Sequence, residues 1–252
     1  MNTTNLPYMT RYFSLYFAVL SLVFLANSCS NVHDHNSQVM IELGYNWQFR
    51  QAGSDQWLPA SVPGTVHTDL LDNQIIGDPY YRLNEKSLQW IDKKDWEYRT
   101  ILQIDPKVLK KEKQELVFEG LDTYAKVYLD GDLILLADNM FRTWIVDVKG
   151  KLKPGKNELL ILLESPTGNG LQALKEYGFQ LAADNDQSEA GEMGADRVSP
   201  YVRKAPYHFG WDWGPRLVTS GIWRPVWLRA WNTADIDDVH IVTDRISDVQ
   251  AD

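Results

Sequence analysis

The chain has 252 residues, 44% of them hydrophobic and 23% charged, which is enough apolar material for one large domain with a real core. Its formal net charge of -9 argues against a nucleic-acid partner, because neutralising phosphates takes a basic footprint. Ten Trp and twelve Tyr mark either a bulky β core or a sugar-binding surface, where flat aromatic faces pack against pyranose rings.

Arg11 precedes an apolar run over residues 12–26. A basic start followed by such a run is a secretory signal, too short for a comfortable membrane span. It closes with Leu25-Ala26-Asn27-Ser28-Cys29. That ending resembles a bacterial lipoprotein signal, in which the cysteine becomes the lipid-modified first residue, although Asn27 stands where a small residue is more usual. Cys29 is the only cysteine, so an exported chain offers it no disulfide partner. Residues 1–28 are therefore expected to be a signal peptide, Cys29 the lipidation site and 29–39 a flexible tether. The chain is then exported and lipid-anchored in the bacterial envelope, periplasmic or on the cell surface; an ordinary cleaved signal with an incidental cysteine is the alternative. His33, Asp34 and His35 in the tether are too few to argue for a metal. Neither a metal nor a cofactor is expected.

From Met40 onward short strands alternate with turn residues. A helix is expected over 65–74, after Pro63-Gly64, with Thr65 as its N-cap. Residues 96–104 alternate with the period of a half-buried strand, and Asp105-Pro106 stops it. Residues 115–118 form the next strand. Asp130-Gly131 joins 125–129 to 133–136, a strong hairpin signal because glycine accepts the positive φ of a type I′ turn. Strands over 144–148 and 158–163 follow, split by Lys153-Pro154-Gly155, and then a short helix over 171–177. Residues 182–199 have no apolar period and read as a long loop, usually functional or disordered. The last strand spans 222–231, and Pro225 assigns it to an edge or bulge. This succession predicts an all-β fold, a jelly-roll β-sandwich over 40–232 with a few short helices. Residues 234–243 read as linker and first strand of something else. Residues 233–252 cannot bury a core of their own, so the chain is expected to be cut off inside a second domain.

Two stretches then carry a family resemblance. Residues 57–96 contain WLPASVPGTVHTDLL, GDPYYRLNE and QWIDKKDWEY; residues 203–227 read RKAPYHFGWDWGPRLVTSGIWRPVW. Together they resemble the N-terminal, galactose-binding-like domain of β-mannosidases in glycoside hydrolase family 2. Other family 2 enzymes share a looser form of the first stretch, whereas FGWDWGP followed by GIWRPV is particular to the β-mannosidase branch. The resemblance implies a sandwich, an immunoglobulin-like domain and a (β/α)₈ barrel in that order. Two barrel glutamates, acid/base and nucleophile, remove terminal β-linked mannose with retention. It makes this chain the substrate-contacting, accessory domain of an exo-β-mannosidase, with no catalytic residue and inactive without the two missing domains. The alternatives are a stand-alone carbohydrate-binding lipoprotein and the same domain of a β-galactosidase or β-glucuronidase.

Trp211-Asp212-Trp213-Gly214-Pro215 is the candidate site. On a strand, alternation would send both Trp one way and Asp212 the other, and Gly214 and Pro215 turn the segment. An aspartate framed by aromatic faces can accept hydrogen bonds from sugar hydroxyls; a structural turn whose Asp caps backbone amides is the alternative. In the resembled enzymes an aspartate of this motif contacts the non-reducing sugar. That implies Asp212 here, with Trp211 and Trp213 shaping the pocket beside it. Arg203, next to Lys204, either pairs with Asp212 or forms a surface ion pair. His208 reads as a structural histidine, and His67 as part of a domain-packing segment, not a catalytic group. Asn84-Glu85 looks like the acid/base signature of this clan, but it lies in a loop ahead of the sandwich strands and reads as a structural or domain contact. Asp122 reads as a loop carboxylate. No cluster of oxygen ligands predicts calcium.

Overall fold

A computed structural model describes residues 38–234, 236 and 238–250. The expected signal peptide, Cys29 and nearly all of the tether lie outside the described residues.

Among the described residues ten strands form: β1 (Val39–Glu42), β2 (Gln48–Gln51), β3 (Leu58–Pro59), β4 (Trp96–Ile104), β5 (Lys113–Phe118), β6 (Tyr124–Leu129), β7 (Asp132–Ala137), β8 (Trp144–Asp147), β9 (Gly155–Glu164) and β10 (Val226–Trp231). They make a four-stranded sheet, β1-β10-β5-β8, and a six-stranded sheet, β3-β2-β4-β9-β6-β7, antiparallel at every pairing. The alternation of β4 buries Trp96, Tyr98, Thr100, Leu102 and Ile104 on one face. Across from it β9 buries Leu159, Ile161 and Leu163, and β10 of the other sheet buries Val226, Leu228 and Ala230. These inward rows, with Phe49, Leu116 and Phe118, make one continuous apolar core, as expected of a sandwich. Asp130 and Gly131 both take positive φ at the β6–β7 hairpin, as a type I′ turn requires.

Two sequence expectations need correction. The last strand begins at Val226, not Ile222, and it is an inner strand of its sheet. Pro225 sits just before the first paired residue, so its missing N–H costs no ladder bond. The helix expected over 171–177 starts five residues earlier, as Pro166–Tyr177, because Ser165 caps Gly168 N–H and Pro166 fits the first turn. Gly168 and Gly170 hide that turn from an apolar pattern, and a Cβ on Gly170 would stand 2.8 Å from Val198 Cβ.

The helices are α1 (Val66–Asp72), α2 (Asn84–Ser87), α3 (Pro106–Leu109) and α4 (Pro166–Tyr177). Thr65 caps α1 in a reciprocal capping box with Thr68. Asp69 ties α1 to the larger sheet, accepting the Tyr98 hydroxyl at 2.6 Å and Ser61 N–H at 2.8 Å. Burial pushes the Asp69 carboxyl up to about 6. Residues 64–66 lie along 220–222: Gly64 N–H donates to Ile222 C=O at 2.9 Å and Val66 N–H to Ser220 C=O at 2.8 Å. A Cβ on Gly221 would meet Gly64 O at 2.4 Å, so only glycine allows this approach. It sets the start of α1 against the end of the 203–225 segment, where the site forms.

Candidate functional site

A cleft of about 690 Å³ opens there. Leu71, Pro79 and Tyr80 line one side, and Tyr207, Trp211, Trp213, Pro215 and Leu217 the other, with His67, Asp78, His208 and Thr219 among the polar groups. Mostly apolar and aromatic lining with a few placed polar groups is what a small neutral ligand needs.

Trp211 and Trp213 meet edge to face, their ring centroids 5.6 Å apart at 72°. The turn that carries them closes weakly, Trp211 N–H to Gly214 C=O at 3.4 Å, and Gln187 Nε2 donates to Trp211 C=O at 2.5 Å. Trp213 is 82% exposed. Asp212 projects from the same turn, exposed and without a protein hydrogen bond, so it does not cap backbone amides. It stands between two lining residues and is not itself one of them.

Arg203 does not join this group. Its side chain is exposed and off the cleft lining, and its backbone C=O accepts Met140 N–H at 3.0 Å. Lys204 points inward and pairs not with Asp212 but with Asp122. Asp122, expected as a loop carboxylate, is 1% exposed.

What holds the turn is a residue the sequence reading passed over. Arg216 follows Pro215 directly and is 1% exposed. Its guanidinium donates to Gln89 Oε1 at 2.6 Å and to Asp92 Oδ2 at 2.8 Å. Its N–H donates to Glu85 Oε1 at 2.9 Å, and its C=O accepts Gln89 Nε2 at 2.8 Å. The Asn84-Glu85 pair thus has the structural role expected of it. A Cβ on Gly191 would lie 2.6 Å from the guanidinium carbon, so the 182–199 loop closes over Arg216 through a glycine. An arginine amid apolar residues just after a turn motif was the available signal, since a charge in such a place survives only if paired.

Below the cleft floor, Thr219 Oγ1 lies 2.9 Å from Asp122 Oδ2, 3.1 Å from Lys204 Nζ and 3.2 Å from His208 Nδ1. Burial pulls the Lys204 ammonium below its ordinary value, opposed by Asp122. His67, with Nδ1 buried and unpartnered, is lowered by burial to about 4. His208 is lowered to about 4 by burial and then by the Lys204 charge. Both histidines are therefore uncharged in neutral solution. Among the described residues, no group of three or more His, Cys, Asp or Glu is placed to hold a metal.

These shifts carry a stability sign. A histidine held near 4 in the fold and near 6.5 when unfolded stabilises fully above 6.5 and loses that share as pH falls toward 4. For His67 the share is on the order of 3 kcal/mol. Asp69, raised to about 6, works the other way: its share is full below the unfolded value of 3.8 and is lost as pH rises through 6. The His67→Gln chain should therefore lose less stability than the parent between pH 7 and 4 in urea unfolding, and parallel curves would contradict the buried neutral histidine.

The family model described as "Glycosyl hydrolase 2 galactose-binding domain-like" matches residues 47–224. Beta-mannosidase B of Thermothelomyces thermophilus is 39% identical over 199 residues, which cover 78% of this chain and 22% of that protein. The crystal structure of Beta-D-Mannosidase from Dictyoglomus thermophilum superposes with a TM-score of 0.77 at 39% identity, covering 83% of this chain and 24% of that one. A Beta-glucuronidase of an uncultured Clostridium sp. shares the fold alone, with a TM-score of 0.53 at 18% identity over 85% of this chain and 32% of its own. The chain thus spans under a quarter of the curated relative's length. With its two antiparallel sheets and the matched span, the chain belongs to the glycosyl hydrolase 2 galactose-binding domain-like family.

Proposed function

We propose that this chain is the substrate-contacting N-terminal domain of an exo-acting β-mannosidase, helping to hold a terminal, non-reducing β-D-mannose residue. The observation that carries this reading is the Trp211–Trp213 turn: two aromatic faces on the edge of an apolar cleft, with the unpartnered Asp212 carboxylate between them. Apolar ring faces stack on the indoles, and the carboxylate accepts hydrogen bonds from ring hydroxyls. Retaining hydrolysis needs two carboxyls roughly 5–5.5 Å apart. Asp78 is the one carboxylate among the described residues lining the cleft, so acid/base and nucleophile come from a catalytic barrel, reached through an immunoglobulin-like domain. The stretch matched covers only 22% and 24% of the β-mannosidases that the chain resembles, which fits that division of labour.

Holding one edge of a sugar, the chain alone should bind methyl β-D-mannoside with a Kd in the millimolar range or weaker, about -4 kcal/mol at best. Joined to its catalytic barrel, Asp212→Ala should lower kcat/KM on aryl β-mannosides by about 10- to 150-fold, the loss of a charge-assisted hydrogen bond of ~1.5–3 kcal/mol. Unchanged kcat/KM, or micromolar binding by the chain alone, would contradict the assignment and favour a free-standing sugar-binding protein.

On the same reading residues 1–28 direct export, and Cys29 carries a lipid that tethers the domain to the bacterial envelope. A Cys29→Ser chain made in a bacterial host should take up no labelled palmitate and leave the membrane fraction. Labelling that persists in the variant would dismiss the anchor.

A further inference from the structure

The group beneath the cleft fixes a proton that determines what the cleft can read. A threonine hydroxyl has one proton and two lone pairs. Asp122, a carboxylate paired with Lys204, can only accept, so the Thr219 proton goes to Asp122 Oδ2 at 2.9 Å. Lys204 Nζ, which can only donate, takes one Thr219 lone pair at 3.1 Å. The other lone pair faces His208 Nδ1 at 3.2 Å, so Nδ1 must carry the imidazole proton. Nε2 is then a bare acceptor with no protein partner, on a residue that lines the cleft.

We propose that His208 Nε2 is a substrate-reading group: it accepts a hydrogen bond from a hydroxyl of a neutral sugar and turns away a carboxylate-bearing one, with Thr219 as the positioning residue that fixes its tautomer. The selectivity follows from the inventory of donors. A hydroxyl has a proton to give, whereas a uronate carboxylate has only lone pairs and would set them against that of Nε2. The imidazole is held down to about 4, so the lone pair is present throughout the neutral range. Thr219 is barred from serving Nε2 itself, because all of its hydrogen-bonding capacity is spent on Asp122, Lys204 and Nδ1. This inference rests on the sugar-contact reading given above.

The test is long-range ¹H–¹⁵N NMR of the uniformly labelled chain at pH 6.5–7.5. The chain has five histidines, and loss of one signal set in His208→Gln assigns the relevant ring. His208 is expected as the Nδ1–H tautomer, with Nε2 unprotonated. Adding methyl β-D-mannoside should move His208 Nε2 together with the Trp211 and Trp213 indole signals, while methyl β-D-glucuronide at equal concentration moves neither. Thr219→Val should release the tautomer and weaken mannoside binding about three- to tenfold, the loss of one neutral hydrogen bond. Thr219→Ser should restore both. An Nε2–H tautomer in the parent chain would overturn the inference. So would indole shifts with a silent His208, or equal response to the glucuronide, and these leave the sugar-contact reading standing. Mannoside that moves none of these signals would overturn that reading and this inference with it.

Discussion

The Arg216–Asp92 ion pair is the constraint on which the site depends. Both side chains are almost fully buried and 2.8 Å apart. Breaking such a pair by removing one partner costs ~3–5 kcal/mol, because the survivor is a buried charge with nothing to answer it. The arginine is also stitched at its backbone, through Glu85 on α2 and through Gln89, and Asp92 holds Thr167 at the start of α4 at 2.5 Å. Four separate stretches of chain therefore meet at one guanidinium, immediately after Pro215. The Trp211–Pro215 turn has few hydrogen bonds of its own, so its position is inherited from Arg216. By contrast the solvent-exposed Lys93–Glu192 pair, at 2.7 Å, is screened by water and holds little.

A second buried pair, Lys204–Asp122, gives the cleft its electrical character. One cation and one anion cancel beneath the floor, and what reaches the wall is a hydrogen-bond pattern carried through Thr219 to His208. The histidines stay neutral because burial disfavours their charged forms. A largely apolar cleft edged by indoles, with Asp78 the one lining carboxylate among the described residues, suits a sugar better than an anion. The exposed Asp212 adds a strong acceptor at the cleft edge, beside the lining Asp78.

Much of the fold was legible because half-buried strands write their burial into the sequence with period 2. Trp96 to Ile104 alternates, and so does its pairing with β9. Asp130-Gly131 announced its hairpin through the positive φ that glycine permits. Thr65 announced α1 by its cap. Where expectation failed, the cause was a contact distant in sequence. Pro225 looked like an edge residue because the position of the first paired residue cannot be seen in one strand. Asp122 and Lys204 looked like surface charges because their partners lie 82 residues apart. Arg216 bonds Asp92 from 124 residues away, and no local pattern reports such a pairing. The Trp-Asp-Trp turn was visible as a motif, yet the reason it holds its place was not.

Asp92→Asn removes the charge of the buried pair that holds the Trp211–Pro215 turn and keeps the shape. Amide hydrogen exchange and methyl β-D-mannoside titration would be run on this variant and its parent. Faster exchange is expected at residues 211–216, with the sandwich strands unchanged and mannoside affinity reduced. Unaltered exchange at the turn with undiminished affinity would contradict it, and would mean that the turn keeps its place without the Arg216 anchor.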